Sequence, residues 1–267
     1  MNIDRISESF FGKPEFNTPE GAYSWQHLLH VSILMVLMVG FAILFGLKNK
    51  NKDEKTKNLV LVWTAFLING FELFRIAFNI GASSDGLSWK KDLPLYLCSI
   101  QFIAIPIAAL TKGRIKEATL DFVFIFGILG AVAGTFGASH INNSRPVMSI
   151  EPFISGLTHS LSGFASLYIA ISKMKSMKKK NIPLVLCVLL SFCTLAMTAN
   201  ALFDQNYMFL VHDEGTPYSI VYNWVNGNKV LYPMLVILLF IVYIAIFYTV
   251  YYLCEKGAKK KTHNAKN

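Results

Sequence analysis

An all-helical bundle that crosses a membrane about seven times is the fold this sequence predicts, and three observations predict it. The first is composition: of 267 residues 54% are hydrophobic and 15% charged, with a mean hydropathy of +0.45. Soluble domains sit near ~45–50% and ~25%. The second is the spacing of long apolar runs, each close to the roughly 20 residues a helix needs to cross a bilayer. The third is a lysine-rich segment after the first, third, fifth and seventh runs. Together they exclude a soluble enzyme, a disulfide-stapled secreted domain and a disordered tail protein.

Read in order, the spans are expected at about 27–47, 58–80, 93–110, 118–138, 152–172, 182–203 and 229–253. Only helices satisfy their own backbone polar groups in lipid, apart from closed barrels, so each run is read as a helix. The third is the shortest and opens at Pro94, a residue suited to the first helical turn. Residues 1–26 then form an extracytoplasmic segment, 27–253 the transmembrane domain and 254–267 a basic cytoplasmic tail. Residues 1–26 lack a basic start and an apolar core, so no cleavable signal peptide is expected.

The net charge of +9 is explained by topology. With the N-terminus outside, eighteen Lys and Arg residues fall on the cytoplasmic side, in 48–57, 112–116, 173–180 and 256–266, and six fall outside. This positive-inside bias predicts seven spans, N-out and C-in. It leaves no reason to expect a nucleic-acid partner. Lysine outnumbers arginine, and with frequent Asn, Ile and Phe it points to an AT-rich bacterial genome and a bacterial cytoplasmic membrane. The four cysteines show no CxxC or His/Cys spacing, and there is no glycine-rich phosphate loop, so neither metal nor cofactor is expected.

Ionisable and amide side chains inside spans are costly, and each is a functional candidate. Asn69, Glu72 and Arg75 lie in the outer half of the second span, with Glu72 and Arg75 placed to share a helix face. Cys98 and Gln101 lie one to two turns below the outer end of the third, and His159 about two turns below that of the fifth. Asn200 and Asp204 close the sixth; His27 and His30 open the first. These positions share one depth, and only Asp121 lies near the inner face. Each has a plainer reading: Glu72 with Arg75 as a structural ion pair, His159 as a hydrogen-bonded core residue, His27 and His30 as interface markers. Cys98 stands apart, because Pro94 would set a helix start just above it and leave the thiol near the positive end of the dipole. A histidine at matching depth is positioned to act as its base.

Three stretches in this order, DLPLYLCSI (92–100), THSLSG (158–163) and ANALFDQNYMFL (199–210), resemble the YwaF-like integral membrane proteins of bacteria, relatives of eukaryotic transmembrane protein 164. The resemblance covers roughly residues 20–250. The family pattern often has His where this chain has Tyr96, and GASHINNSRPVMSIE (137–151) departs from it. The eukaryotic relatives are described as acyltransferases that use a membrane cysteine. The resemblance therefore implies Cys98 as nucleophile and His159 as its base, with a membrane lipid or fatty-acyl substrate. Gln101, Asn200 and Asn206 are candidates to stabilise an oxyanion, Arg75 beside Glu72 to hold a lipid phosphate, and Tyr207 to complete the substrate-binding set.

Two other function classes compete with a lipid-modifying acyltransferase or acyl hydrolase. A transporter or flippase would use Glu72 and Arg75 as a gate. Against it, the polar groups cluster on one side, and Gly127, Gly130, Gly134 and Gly137 fit close helix packing. A receptor or accessory subunit would use the 204–228 loop, with Tyr207, His212, Tyr218, Tyr222 and Trp224, as a partner surface. The plainer reading of that loop is an interfacial lid with a turn at Asp213, Glu214, Gly215 and Pro217.

Overall fold

The computed structural model describes residues 19–82, 88–137 and 143–264, so most of the expected N-terminal segment and the last three residues of the tail lie outside the described residues. Within them all regular structure is helical. The chain divides into two compact units, Met1–Val185 and Leu186–Asn267.

The first unit holds α1 (Trp25–Asn49), α2 (Glu54–Ala82), α3 (Gln101–Leu110), α4 (Gly113–Phe136) and α5 (Ile150–Ile171). Its centre is α5, which packs against α1, α2 and α4, while α3 lies against α2 and α4. Ser24 caps α1, its hydroxyl accepting from the His27 N–H. Residues His27, Val31, Leu34, Met38, Ala42, Gly46 and Asn49 then recur every three to four positions as its buried stripe. The opposite face carries Val36 at 71% exposure, and Phe66 on α2 reaches 67%. Side chains that apolar in mid-helix find a suitable solvent only in lipid. Between α4 and α5 the backbones come close. A Cβ on Gly127 would meet the Ser162 carbonyl at 2.6 Å, and the Ser166 hydroxyl donates to the Phe124 carbonyl at 2.7 Å.

Six helices are long and apolar enough to cross a membrane: α1, α2, α4, α5, the segment Lys179–Phe203 and the apolar part of the last helix. The third expected span differs. Its helix begins at Gln101, seven residues after Pro94, and its ten residues extend about 15 Å, half a hydrocarbon core. Two local causes account for this. Asp92 is held by side chains of α2, and the residues after it form tight turns, Leu95 N–H to the Leu93 carbonyl and Ser99 N–H to the Tyr96 carbonyl. Inside α3, Pro106 has no N–H for the Phe102 carbonyl. Asn69 of α2 donates to that carbonyl at 3.0 Å and so fixes α3 to its neighbour.

At the other end Asp121 is fully buried. Its carboxylate accepts from the backbone N–H groups of Ser176 and Met177 and from the Asn181 amide, which pins the 173–181 connection. Lys116, counted among the inner lysines, is buried too and pairs with Glu54 at 2.6 Å.

The second unit contains the remainder of α6 (Ile182–Phe203), the short α7 (Ser219–Trp224) and α8 (Leu231–Asn264). The expected turn is present, with the Thr216 N–H on the Asp213 carbonyl at 2.9 Å and both Glu214 and Gly215 in the left-handed region. The Ser219 hydroxyl donates to Asp213 and holds that carboxyl below the ordinary carboxylate range. A depressed folded pKa stabilises at neutral pH and is lost as pH falls through the folded value. Amide exchange over 213–222 is therefore expected to accelerate between neutral pH and about pH 3, relative to the intrinsic rate. Ser219→Ala should show fast exchange at both pH values; equal protection in the variant would refute the staple.

Candidate functional site

The C-terminal half of α2 carries a run of polar side chains that tie down the non-helical segment before α3. Arg75 forms a two-pronged pair with Glu72, Nε to Oε2 at 3.1 Å and Nη2 to Oε1 at 2.7 Å, as expected for residues three apart. Its Nη1 donates to Asp92 at 2.6 Å, and Asn79, one turn further along, donates to the same carboxylate at 3.2 Å. Glu151 at the start of α5 lies 3.8 Å from Arg75 and pairs with Arg145. Glu72 and Asp92 are both buried, at 7% and 8% exposure. Buried carboxylates persist only with such partners. The guanidinium faces three carboxylates, so this geometry fits the ion-pair reading of Arg75 better than capture of a lipid phosphate.

Asp92 anchors the stretch that ends in Cys98. The cysteine sits in the turn just ahead of α3, its carbonyl accepting from the Gln101 N–H at 3.3 Å. Helix onset at Gln101 thus leaves the thiol beyond the first turn, where the Pro94 argument had put it inside the helix. Cys98 is half-buried and forms no disulfide. Its Cα and Cβ lie against α4, 3.9 and 3.6 Å from where a Cβ on Gly130 would be.

One turn further along the same helix, Gly134 makes room for His159. A Cβ there would lie only 2.2–2.4 Å from three atoms of the imidazole ring. The ring lies over the Gly134 turn of α4. Two residues 61 positions apart in sequence therefore rest on adjacent turns of α4, admitted by two glycines. A neutral imidazole carries one donor and one acceptor nitrogen, and the acceptor is what a general base requires. Gln101 is fully buried, and neither its Oε1 nor its Nε2 has a hydrogen-bond partner among the described residues. An amide left unpaired in a membrane interior is expensive and asks for a ligand.

The remaining expected residues lie in the second unit and serve its loop. The Asn200 side chain brackets Tyr207, accepting from its N–H at 2.6 Å and donating to its carbonyl at 3.1 Å. Asn206 accepts from the N–H groups of Val211 and His212 and donates to the His212 carbonyl and Glu214. Tyr207 is fully buried. In the first unit His27 accepts the Tyr23 N–H on Nδ1, which leaves Nε2 to donate to the Thr135 carbonyl at 3.1 Å; it is a joint between α1 and α4. His30 packs on Phe153, and its Nε2 has no hydrogen-bond partner among the described residues. Sequence reasoning did not single out Asp92, Asn79, Glu151 or Arg145 as site residues. An arginine inside a span implies more than one nearby carboxylate, and Asp92, at the mouth of the next span, was the readable signal.

A match to the TMEM164 family runs over residues 22–253. The chain belongs to the TMEM164 family. No curated protein and no solved structure matches it. The matched range of this TMEM164-family chain contains the Cys98 turn, the α4 glycines, His159 and the Arg75 cluster. Among the described residues no group of three His, Cys, Asp or Glu side chains is arranged to hold a metal ion.

Proposed function

We propose that this protein is a membrane acyltransferase or acyl hydrolase with Cys98 as nucleophile, His159 as general base and Gln101 as oxyanion donor. The observation that carries the reading is the placement of Cys98 and His159 on successive turns of α4 over Gly130 and Gly134. In the first step the thiol proton passes to the imidazole while sulfur bonds to the carbonyl carbon of a lipid ester. The carbon–oxygen bond then breaks, and the imidazolium returns the proton to the departing alkoxide, leaving a thioester and an alcohol. In the second step an acceptor hydroxyl, or water, gives its proton to His159 and attacks the thioester. The thiol is regenerated, and the product is a new ester or a free acid. General-base assistance means that no free thiolate has to exist in the apolar bundle. The unpaired Gln101 amide supports its role, since donors left open in the resting protein cost no reorganisation when charge develops. Asn200 and Asn206 are already engaged on their loop backbone and are not assigned that role.

The lysine distribution supports a bacterial cytoplasmic membrane, with the site toward the outer leaflet. There a glycerolipid ester reaches the site laterally from the bilayer.

The test is covalent labelling in native membranes by a lipid-like acyl-mimetic electrophile. Wild type is expected to label at Cys98, Cys98→Ala not at all, and His159→Ala about 10²–10⁴-fold more slowly. Equal labelling rates in wild type and His159→Ala would defeat the assignment of the base, and an inert Cys98 the whole mechanism.

A further inference from the structure

Between α2 and α5, on the outside of the first unit, runs a groove of about 470 Å³ lined only by apolar residues, among them Phe66, Gly70, Phe74, Phe153, Ile154 and Leu157. Gly70 is its floor: nothing lies within 4 Å of where a Cβ would sit. Phe66 and Phe74, one turn to either side, are its walls, at 67% and 49% exposure. Such a lining offers a polar solute no hydrogen bond and would hold neither water nor an ion.

We propose that this groove binds one hydrocarbon chain of a membrane phospholipid, with the phosphate at Arg145. Three features choose that occupant. The groove opens on exposed apolar helix faces, it runs along two helices with open space at Gly70, and an ion pair lies toward one of its ends. At that end Glu151 lies one turn before Ile154 on α5 and carries Arg145, whose side chain keeps 35% of its surface exposed. A chain of carbon seated below a partly exposed arginine side chain matches an amphiphile with an anionic group at its head.

The inference goes beyond the acyl-transfer reading and names a second lipid position. Leu157 and His159 are two residues apart, which turns a helix by about 200°, so the groove and the proposed catalytic pair occupy opposite sides of α5. The Arg75–Glu151 contact joins α2 to α5 at the charged end of the groove. A chain in the groove thus touches both helices that hold the site in place, and occupancy couples lipid composition to the geometry of His159.

The experiment uses the full chain in phosphatidylcholine liposomes with a trace of phosphatidylcholine bearing a diazirine in one acyl chain. After irradiation, adducts are mapped by mass spectrometry. The expected result is enrichment on 66–74 and 153–157 over other lipid-facing positions such as Val36 and Phe41. Gly70→Leu, which fills the floor with side-chain carbon, should lower groove adducts about tenfold. Its thermal unfolding midpoint should not fall, because the added side chain meets open space. Arg145→Gln should weaken labelling by the phospholipid probe but not by a diazirine-bearing fatty alcohol. Cys98→Ala should leave groove labelling unchanged, so failure of the catalytic reading and failure of this one are told apart. Even labelling over all lipid-facing helices would mean ordinary annular lipid, and adducts that join two chains through the groove would mean a second copy of the protein; either overturns the proposal.

Discussion

Arg75→Ala is expected to destabilise the protein by about 3–5 kcal/mol, the cost of leaving buried carboxylates without their cation. Glu72 and Asp92 are each less than a tenth exposed, and in the intact protein a single guanidinium serves both at 2.6 to 3.1 Å. Removing it leaves two buried like charges, and among the described residues no other cation pairs with either. Asp92→Asn keeps the shape and the Asn79 contact while deleting one charge, and should cost less, about 1–3 kcal/mol. Thermal unfolding in detergent micelles reads both. A wild-type midpoint for Arg75→Ala would show that water reaches the cluster and that the tether is weak. A combined Arg75→Met, Glu72→Leu, Asp92→Leu variant separates stability from function. Apolar packing should recover most of the midpoint, as replaced buried ion pairs often do. Labelling of Cys98 should stay slow, because nothing then fixes the segment that carries it.

The same cluster marks where sequence reasoning reached and where it stopped. Membrane helices were legible from hydropathy because lipid imposes the helix on any long apolar run. The pairing of Glu72 with Arg75 was legible because it is local, set by the pitch of α2. The third span was misread because its outcome depends on a partner far away in the chain. Pro94 favours a helix start, but Asp92 is fastened to Arg75 and Asn79, and the chain needs several turns to leave that anchor before α3 begins. Depth along a helix put Cys98 and His159 on one level, and helical pitch alone could go no further. That they share a supporting helix was written in the glycines at 130 and 134, which were read for close packing without a partner for either. Asn200 and Asn206 drew notice as polar residues near a membrane surface; their role as loop staples depends on the left-handed backbone at Asp204, Met208 and Phe209, which no periodicity announces.

Gly134→Ala is expected to slow labelling of Cys98 by about 10²-fold while leaving the fold intact. The added methyl would lie 2.2–2.4 Å from three atoms of the His159 ring, so the ring must move away from α4 by roughly 1 Å or more to reach an ordinary contact. Alanine favours helix over glycine by about 0.5–1 kcal/mol, which offsets part of the local crowding and keeps the midpoint near that of wild type. Gly130→Ala is the internal comparison. Its methyl would lie 3.6 Å from the Cys98 Cβ, an ordinary van der Waals contact, and should slow labelling far less. The order of the two effects discriminates between roles. If His159 takes the proton from Cys98, displacing the ring one turn away must hurt more than touching the cysteine itself. The reverse order, Gly130→Ala the slower, would mean that access to the thiol limits the reaction and that His159 is a packing residue. A pH profile completes the argument. A general base leaves a titration in the wild-type rate that flattens in Gly134→Ala, whereas a ring that only fills space leaves the profile of the two proteins the same.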